Sequence, residues 1–125
     1  MIVGIGLDLV DVERMRQFHE RWGLEGLLRV FTTAEIDYCT RMADPAPSLA
    51  ARFAAKEAFY KAVGTGWGVG GALDEVEVRR GPTGDPDLAV SGQAASTLAR
   101  TRAYQLHLTL THTAATAAAV VILER

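Results

Sequence analysis

Ala51-Arg52-Phe53-Ala54-Ala55-Lys56-Glu57-Ala58-Phe59-Tyr60-Lys61-Ala62-Val63-Gly64-Thr65-Gly66 decides how the rest of the chain is read. No Gly or Pro interrupts Leu49 to Val63, and the residues between are good or acceptable helix formers. Pro47 and Ser48 offer a start and Gly64 a stop. Phe53, Ala54, Ala58 and Ala62 recur at helical spacing and form an apolar stripe. Arg52, Lys56 and Tyr60 form a second stripe, and Glu57 and Lys61 a third. Its small residues let other backbone come close. Beyond Val63 the chain turns glycine-rich, with Gly64, Gly66, Gly68, Gly70 and Gly71. A Glu57–Lys61 pair one turn apart serves equally as the decoration of a solvated face or as part of a charged site.

Working outward, the chain has 125 residues, enough for a single domain over 1–125 with a buried core. Thirteen Lys and Arg against fifteen Asp and Glu give a net charge of −2, which disfavours a broad nucleic-acid surface. The lone Cys39 excludes an internal disulfide and a cysteine metal cluster. No apolar run has the length of a membrane span, and the start is strand-like rather than a signal peptide. The cytoplasm is the expected compartment.

Met1 to Val10 alternates, with Val3, Ile5, Leu7 and Leu9 on one face and Gly4, Gly6 and Asp8 on the other. The apolar set is expected to pack, and the glycines to admit another element or a ligand. Asp8 either caps the helix that follows, as Asp11 can, or ligates a metal. Helices are expected over Val12 to Trp22 and Leu24 to Val30. Thr32 with Glu35 forms a capping box for a helix to about Met42. Glu75 to Arg80 and Asp87 to Val90 read as a hairpin, and Ser91 as the cap of a helix to Thr101. Gln105 to Thr111 alternates with Leu106, Leu108 and Leu110 inward, and Ala117 to Leu123 is apolar on both faces, as in a central strand. The order predicts an α+β fold, an antiparallel sheet packed against helices. His112, between Thr111 and Thr113, is either a strand-end histidine bonded to a turn or a donor to phosphate oxygens.

Asp8 and Glu57 supply the two carboxylates that Mg²⁺ accepts while keeping positions for water and phosphate. Lys61 can neutralise the same phosphates, and Gly64-Thr65-Gly66 can add backbone N–H donors. The ensemble of Gly4-Ile5-Gly6-Leu7-Asp8, the Phe31 to Glu35 helix entry, the Arg52 to Lys61 helix with its Gly64-Thr65-Gly66 exit, and Thr111-His112-Thr113 resembles the short, single-domain 4′-phosphopantetheinyl transferases that act as holo-acyl-carrier-protein synthases.

The resemblance implies transfer of phosphopantetheine from coenzyme A, the co-substrate, to a serine of apo acyl carrier protein, in support of fatty acid biosynthesis. Asp8 and Glu57 would hold Mg²⁺, Lys61 would contact the pyrophosphate, and these three would form the catalytic set. Arg52, Lys56, Gly64, Thr65, Gly66, Thr111, His112 and Thr113 would join Lys61 in binding coenzyme A. Glu35 matches an acidic family position near the metal, although capping explains it as well. The resemblance further implies a homotrimer with the cleft between subunits, so that Arg52, Lys56 and His112 complete a neighbour's site. It places the carrier on the helix after Asp8, at Arg14, Phe18 and Arg21. Residues 11 to 31 balance Arg14, Arg16, Arg21 and Arg29 against Asp11, Glu13, Glu20 and Glu25, where many relatives look more basic. Two alternatives remain: a non-catalytic coenzyme A-binding module of the same fold, and a structural oligomer whose charged helix makes salt bridges between subunits.

Overall fold

A computed structural model describes the whole chain, Met1 to Arg125. In chain order it contains β1 (Ile2–Asp11), α1 (Val12–Leu28), α2 (Thr33–Thr40), α3 (Ala46–Val63), a short 3₁₀ turn (Leu73–Glu75), β2 (Val76–Arg80), β3 (Pro86–Val90), α4 (Gly92–Arg100), β4 (Gln105–His112) and β5 (Thr116–Glu124). β1, β5 and β4 form an antiparallel sheet in that order, and β2 with β3 forms a separate hairpin. The predicted α+β class, the central place of β5 and the hairpin all hold.

α3 is the core of the molecule. Leu49, Ala50, Ala54, Ala55, Ala58 and Phe59 are wholly buried, and so is Lys56. A helix buried around most of its circumference needs neighbours on several sides. The sheet covers one side, α1 and α2 a second, and the hairpin with α4 a third. Gly64 ends the helix in the left-handed region, at φ 86°, and donates to Tyr60 and Lys61 carbonyls.

β1 lies against α3 backbone to backbone. A Cβ on Gly6 would overlap the Ala58 carbonyl oxygen, and one on Gly4 would overlap that of Ala62. The close approach of another element at the glycines is as expected, but the packing expected of the apolar face is not found. The alternation correctly grouped the residues, but the bare glycine face is the packed one. Ile5, Leu7 and Leu9 point to the open side and are 63%, 56% and 67% exposed. Strand period reports which residues share a face and not which face meets the helix. Here closeness of approach chose the glycines. Val3 escapes the rule, because an irregularity in register between Ile2 and Gly4 lets it pack on the core.

Two caps differ from expectation in detail. Asp11 caps α1, accepting from Glu13 N, whereas Asp8 stays within the strand. The Ser91 side chain makes no cap bond to α4; Glu75 does so instead, accepting from Gln93 N and Ala94 N. The break expected at Gly23 is present: its backbone is non-helical (φ 58°, ψ −151°), so α1 is two helical segments joined at a kink, close to the two helices expected.

The glycine contact yields a stability prediction. Gly6→Ala should destabilise the fold by about 3 kcal/mol, because the obstructing atoms are backbone and cannot rotate away. Gly81→Ala, whose added carbon would meet only Asp85 O at 3.7 Å, should stay within about 0.5 kcal/mol. Urea denaturation midpoints compare the two.

Candidate active site

The packed face of β1 runs Gly4, Gly6, Asp8. The glycines draw the strand onto α3, so Asp8 arrives at the turn that carries Glu57 and Lys61. Lys61 Nζ donates to Asp8 Oδ1 at 3.1 Å and to the Leu7 carbonyl at 2.9 Å. The Asp8 side chain is 17% exposed and that of Lys61 55%, so the ammonium faces solvent while gripping the strand. Glu57 Oε1 accepts the indole N–H of Trp67 at 2.9 Å. Burial, and then the charge of Asp8, hold the Glu57 carboxyl above its ordinary pKa; the Trp67 bond and Lys61 pull the other way.

Three cavities surround α3. One of about 380 Å³ joins Asp8 and Glu57 to Arg14 and Phe18 on α1, over an apolar wall that includes Phe53. A second, of about 440 Å³, is shared by Glu57, Lys61, Gly64, Thr65, Gly66 and Trp67. Glu57 therefore stands between two spaces. Tyr60 also borders the second, but its hydroxyl donates to Ala72 O at 2.6 Å, and burial with Glu75 and Asp74 nearby pushes its pKa up to about 12. It remains a protonated donor. The third cavity, of about 490 Å³, holds Arg52, Thr111 and His112 together with Arg80, Ser48 and Asp44. Arg52 is 3% exposed, stacks 4.2 Å from the Tyr38 ring centre and donates to Ser48 Oγ at 2.8 Å; its Nε has no partner.

The residues singled out in the sequence thus fall into two groups. Asp8, Glu57, Lys61, Gly64, Thr65 and Gly66 meet, with Arg14 and Phe18 beside them. Arg52, Thr111 and His112 meet elsewhere. Arg21 lies further along α1, with its guanidinium 5.0 Å from the centre of the exposed Trp22 ring.

Two assignments need correction. Lys56 is not available to a ligand phosphate: it is fully buried and donates to Glu35 Oε1 (2.7 Å), Val76 O (2.7 Å) and Leu73 O (3.1 Å). A fully buried ammonium with three acceptors has no donor to spare. The Thr113 hydroxyl accepts from Ala115 N and Thr116 N, which commits it to the turn between β4 and β5. Glu35 keeps its capping box with Thr32 but belongs to the Lys56 pair and to Val78 N, inside the protein and away from the carboxylates. Trp67 and Arg80 escaped the sequence reading. An indole amid glycines was a signal for the first; a hairpin arginine gave none for the second.

The arrangement suits a divalent cation. The two carboxylates share a cavity, and mutual repulsion contributes to the raised pKa of Glu57. No third His, Cys, Asp or Glu makes a larger ligand group with them. Such a cation would take Asp8 and Glu57 and leave its other positions to water and phosphate oxygens, as Mg²⁺ prefers.

Residues 4–120 match the 4′-phosphopantetheinyl transferase superfamily. The holo-[acyl-carrier-protein] synthase of Syntrophus aciditrophicus is 44% identical over 124 residues, which cover 99% of this chain and 97% of that protein. The crystal structure of the holo-[acyl-carrier-protein] synthase from Neisseria meningitidis superimposes with a TM-score of 0.90 at 30% identity, covering 100% of both chains. That of Bacillus anthracis, in complex with CoA (3′,5′-ADP), gives 0.81 at 32% identity, covering 99% of this chain and 97% of its own.

The contrast between the two lysines is open to test. Lys56→Met should cost roughly 3–5 kcal/mol of stability, since it strands the Glu35 carboxylate in the interior. Lys61→Met, at an exposed pair, should cost less than about 1 kcal/mol. Chemical denaturation of both variants reads the difference.

Proposed function

The chain belongs to the 4′-phosphopantetheinyl transferase superfamily, and we propose that it moves 4′-phosphopantetheine from coenzyme A to a serine of an apo acyl carrier protein. The products are the holo carrier and adenosine 3′,5′-bisphosphate. The observation that carries this reading is the place of Asp8, Glu57 and Lys61. They stand between a cavity reaching α1 and one bordered by the Gly64-Thr65-Gly66 backbone. A pyrophosphate lying there has one end toward the glycines and the other toward a docked carrier.

Asp8 and Glu57 would hold Mg²⁺, which when bound supplies positive charge to the pyrophosphate oxygens. The protein's own contribution is position and charge. Lys61 already bridges Asp8 and the Leu7 carbonyl, and its half-exposed ammonium keeps a donor for a phosphate oxygen or for the leaving bisphosphate. The backbone of the glycine-rich exit admits the phosphates closely; a Cβ at Gly64 or Gly66 would meet nothing within 4 Å. The serine oxygen bonds to the β-phosphorus of coenzyme A and gives its proton to a water or a nearby carboxylate, while the bond from that phosphorus to the bridging oxygen breaks and adenosine 3′,5′-bisphosphate leaves. Phe18, half-buried between the exposed Arg14 and Arg21, gives the carrier an apolar contact framed by cations that suit an acidic partner.

The second cationic group supports a homotrimer. Arg52, Arg80 and His112 border a separate cavity, and the open face of the sheet presents Ile5, Leu7 and Leu9 to solvent. Packing that face against another copy removes apolar surface from water. It also lets one subunit's cations reach the nucleotide phosphates held by its neighbour. No helix is long and apolar enough to cross a membrane, and we place the protein in the cytoplasm.

Intact-mass spectrometry of an apo carrier protein incubated with this protein, coenzyme A and Mg²⁺ tests the reaction. The expected gain is one phosphopantetheine, lost on chelation. Coenzyme A binding without any mass gain, across several carriers, would instead identify a non-catalytic module. Glu57→Gln should lower turnover at least 100-fold with the oligomer intact. Ile5→Glu, on the open sheet face, should convert the trimer to monomer in light scattering and lose coenzyme A affinity; a fully active monomer would overturn the shared-cleft reading.

A further inference from the structure

We infer that Trp67 is a positioning residue for Glu57: its indole N–H fixes the carboxylate for the cation from the glycine-rich loop, coupling metal binding to that loop. The inference rests on the reading of Glu57 as a magnesium ligand.

Glu57 has one side-chain hydrogen-bond partner, Trp67 Nε1 at 2.9 Å from Oε1. Lys61, one turn away, is engaged with Asp8 and the Leu7 carbonyl instead. The division of labour has a chemical logic. With the Lys61 ammonium already on Asp8, a second ammonium on Glu57 would neutralise the pair and leave no net negative charge for a cation. An indole N–H is a neutral donor with no acceptor, so it orients one carboxylate oxygen and leaves its charge and the other oxygen free. Hydrogen bonds to a ligating carboxylate orient it in this way, and their loss weakens metal affinity 10- to 100-fold in other sites.

The loop that presents Trp67 is built to hold it. Gly68 sits at φ 92°, a conformation that favours glycine, and its N–H donates to Gly71 O at 2.6 Å. Gly70 N donates to Gly66 O at 2.9 Å. From α4, Gln93 Nε2 donates to Val69 O and Thr97 Oγ1 to Gly70 O, both at 2.7 Å. The turn carrying Trp67 is thus closed on itself and pinned to α4 rather than left to drift. The ring also borders the cavity shared by Lys61 and Gly64 to Gly66, so its surroundings change when that cavity fills.

The chain has two tryptophans, Trp22 and Trp67, which makes the test simple. In ¹H–¹⁵N spectra of the assembled protein, Trp67→Phe assigns the two indole peaks. Addition of Mg²⁺ should move the Trp67 peak and leave that of Trp22 in place, at concentrations matching the binding isotherm. Binding of Mn²⁺, read from the free-ion electron paramagnetic resonance signal, should weaken about 10-fold in Trp67→Phe. Its coenzyme A affinity in EDTA reads separately whatever the ring contributes as a wall of the cavity. A Trp67 peak indifferent to Mg²⁺ would overturn the inference without reference to the variant's folding. So would unchanged Mn²⁺ affinity in Trp67→Phe while Glu57→Gln abolishes it. Lost coenzyme A affinity in EDTA beside unchanged Mn²⁺ affinity would make the ring a wall of the cleft and nothing more. Mn²⁺ affinity unchanged in Glu57→Gln would remove the metal reading itself, and this inference with it.

Discussion

The contact between the backbone of β1 and the backbone of α3 is the constraint on which the rest depends. Gly4 and Gly6 lie against the carbonyls of Ala62 and Ala58, with no room for a side chain on either strand residue. A strand this close to a helix has its register and distance fixed by hard contacts rather than by adjustable side chains. Asp8, two residues further along the same face, is therefore delivered to the turn of Glu57 and Lys61. The same contact sends Ile5, Leu7 and Leu9 to the open side of the sheet, where they leave an apolar surface that one chain does not cover. Site and proposed subunit interface are opposite faces of one strand.

Electrostatics then explains why the cluster suits a cation. Asp8 and Glu57 repel, and this adds to burial in holding the Glu57 carboxyl above its ordinary pKa. Lys61 offsets part of this from the Asp8 side. Trp67 steadies Glu57 without adding charge. The pair keeps a net negative charge at the mouth of two cavities. A pyrophosphate would aggravate that charge unless a divalent cation came with it, so the two ligands fit the site together better than either does alone.

Much of this was legible in the chain, and the boundary of legibility has physical causes. Local signals were dependable: the Thr32–Glu35 capping box, Gly64 as helix stop, and the alternation of β1 and β4 all hold. Asp8, Glu57 and Lys61 were legible because strand and helix periods place each on a definite face, and the family resemblance supplied their partner elements. The packed face of β1 was misjudged because alternation is symmetric between faces, and hydrophobicity favoured the one that stays open. Glu75 as the cap of α4 was invisible, since the bond spans elements distant in sequence. Lys56 was misjudged for a related reason: a lysine inside the stripe of a charged helix looks like a site residue until its acceptors, Glu35 and two carbonyls of the distant hairpin approach, are in view.

That buried pair also bears on why Glu57 faces where it does. Burying two ions costs several kcal/mol each, and a matched apolar pair would often be as stable. Stability alone therefore gives no reason for Lys56 and Glu35. What the pair supplies is direction. Burial lowers the Lys56 pKa and Glu35 opposes it, so the ammonium is tolerated only where its acceptors converge. A leucine could slide or rotate by a few degrees; a buried ammonium with three fixed acceptors cannot, without stranding a charge. Lys56 thus sets the rotation of α3 about its own axis relative to α2 and β2. Glu57 follows one residue on, about 100° further round the helix, toward Asp8. The glycines of β1 fix the distance between strand and helix, and the lysine fixes the helix's angle. Two carboxylates on different elements need both to share one cation.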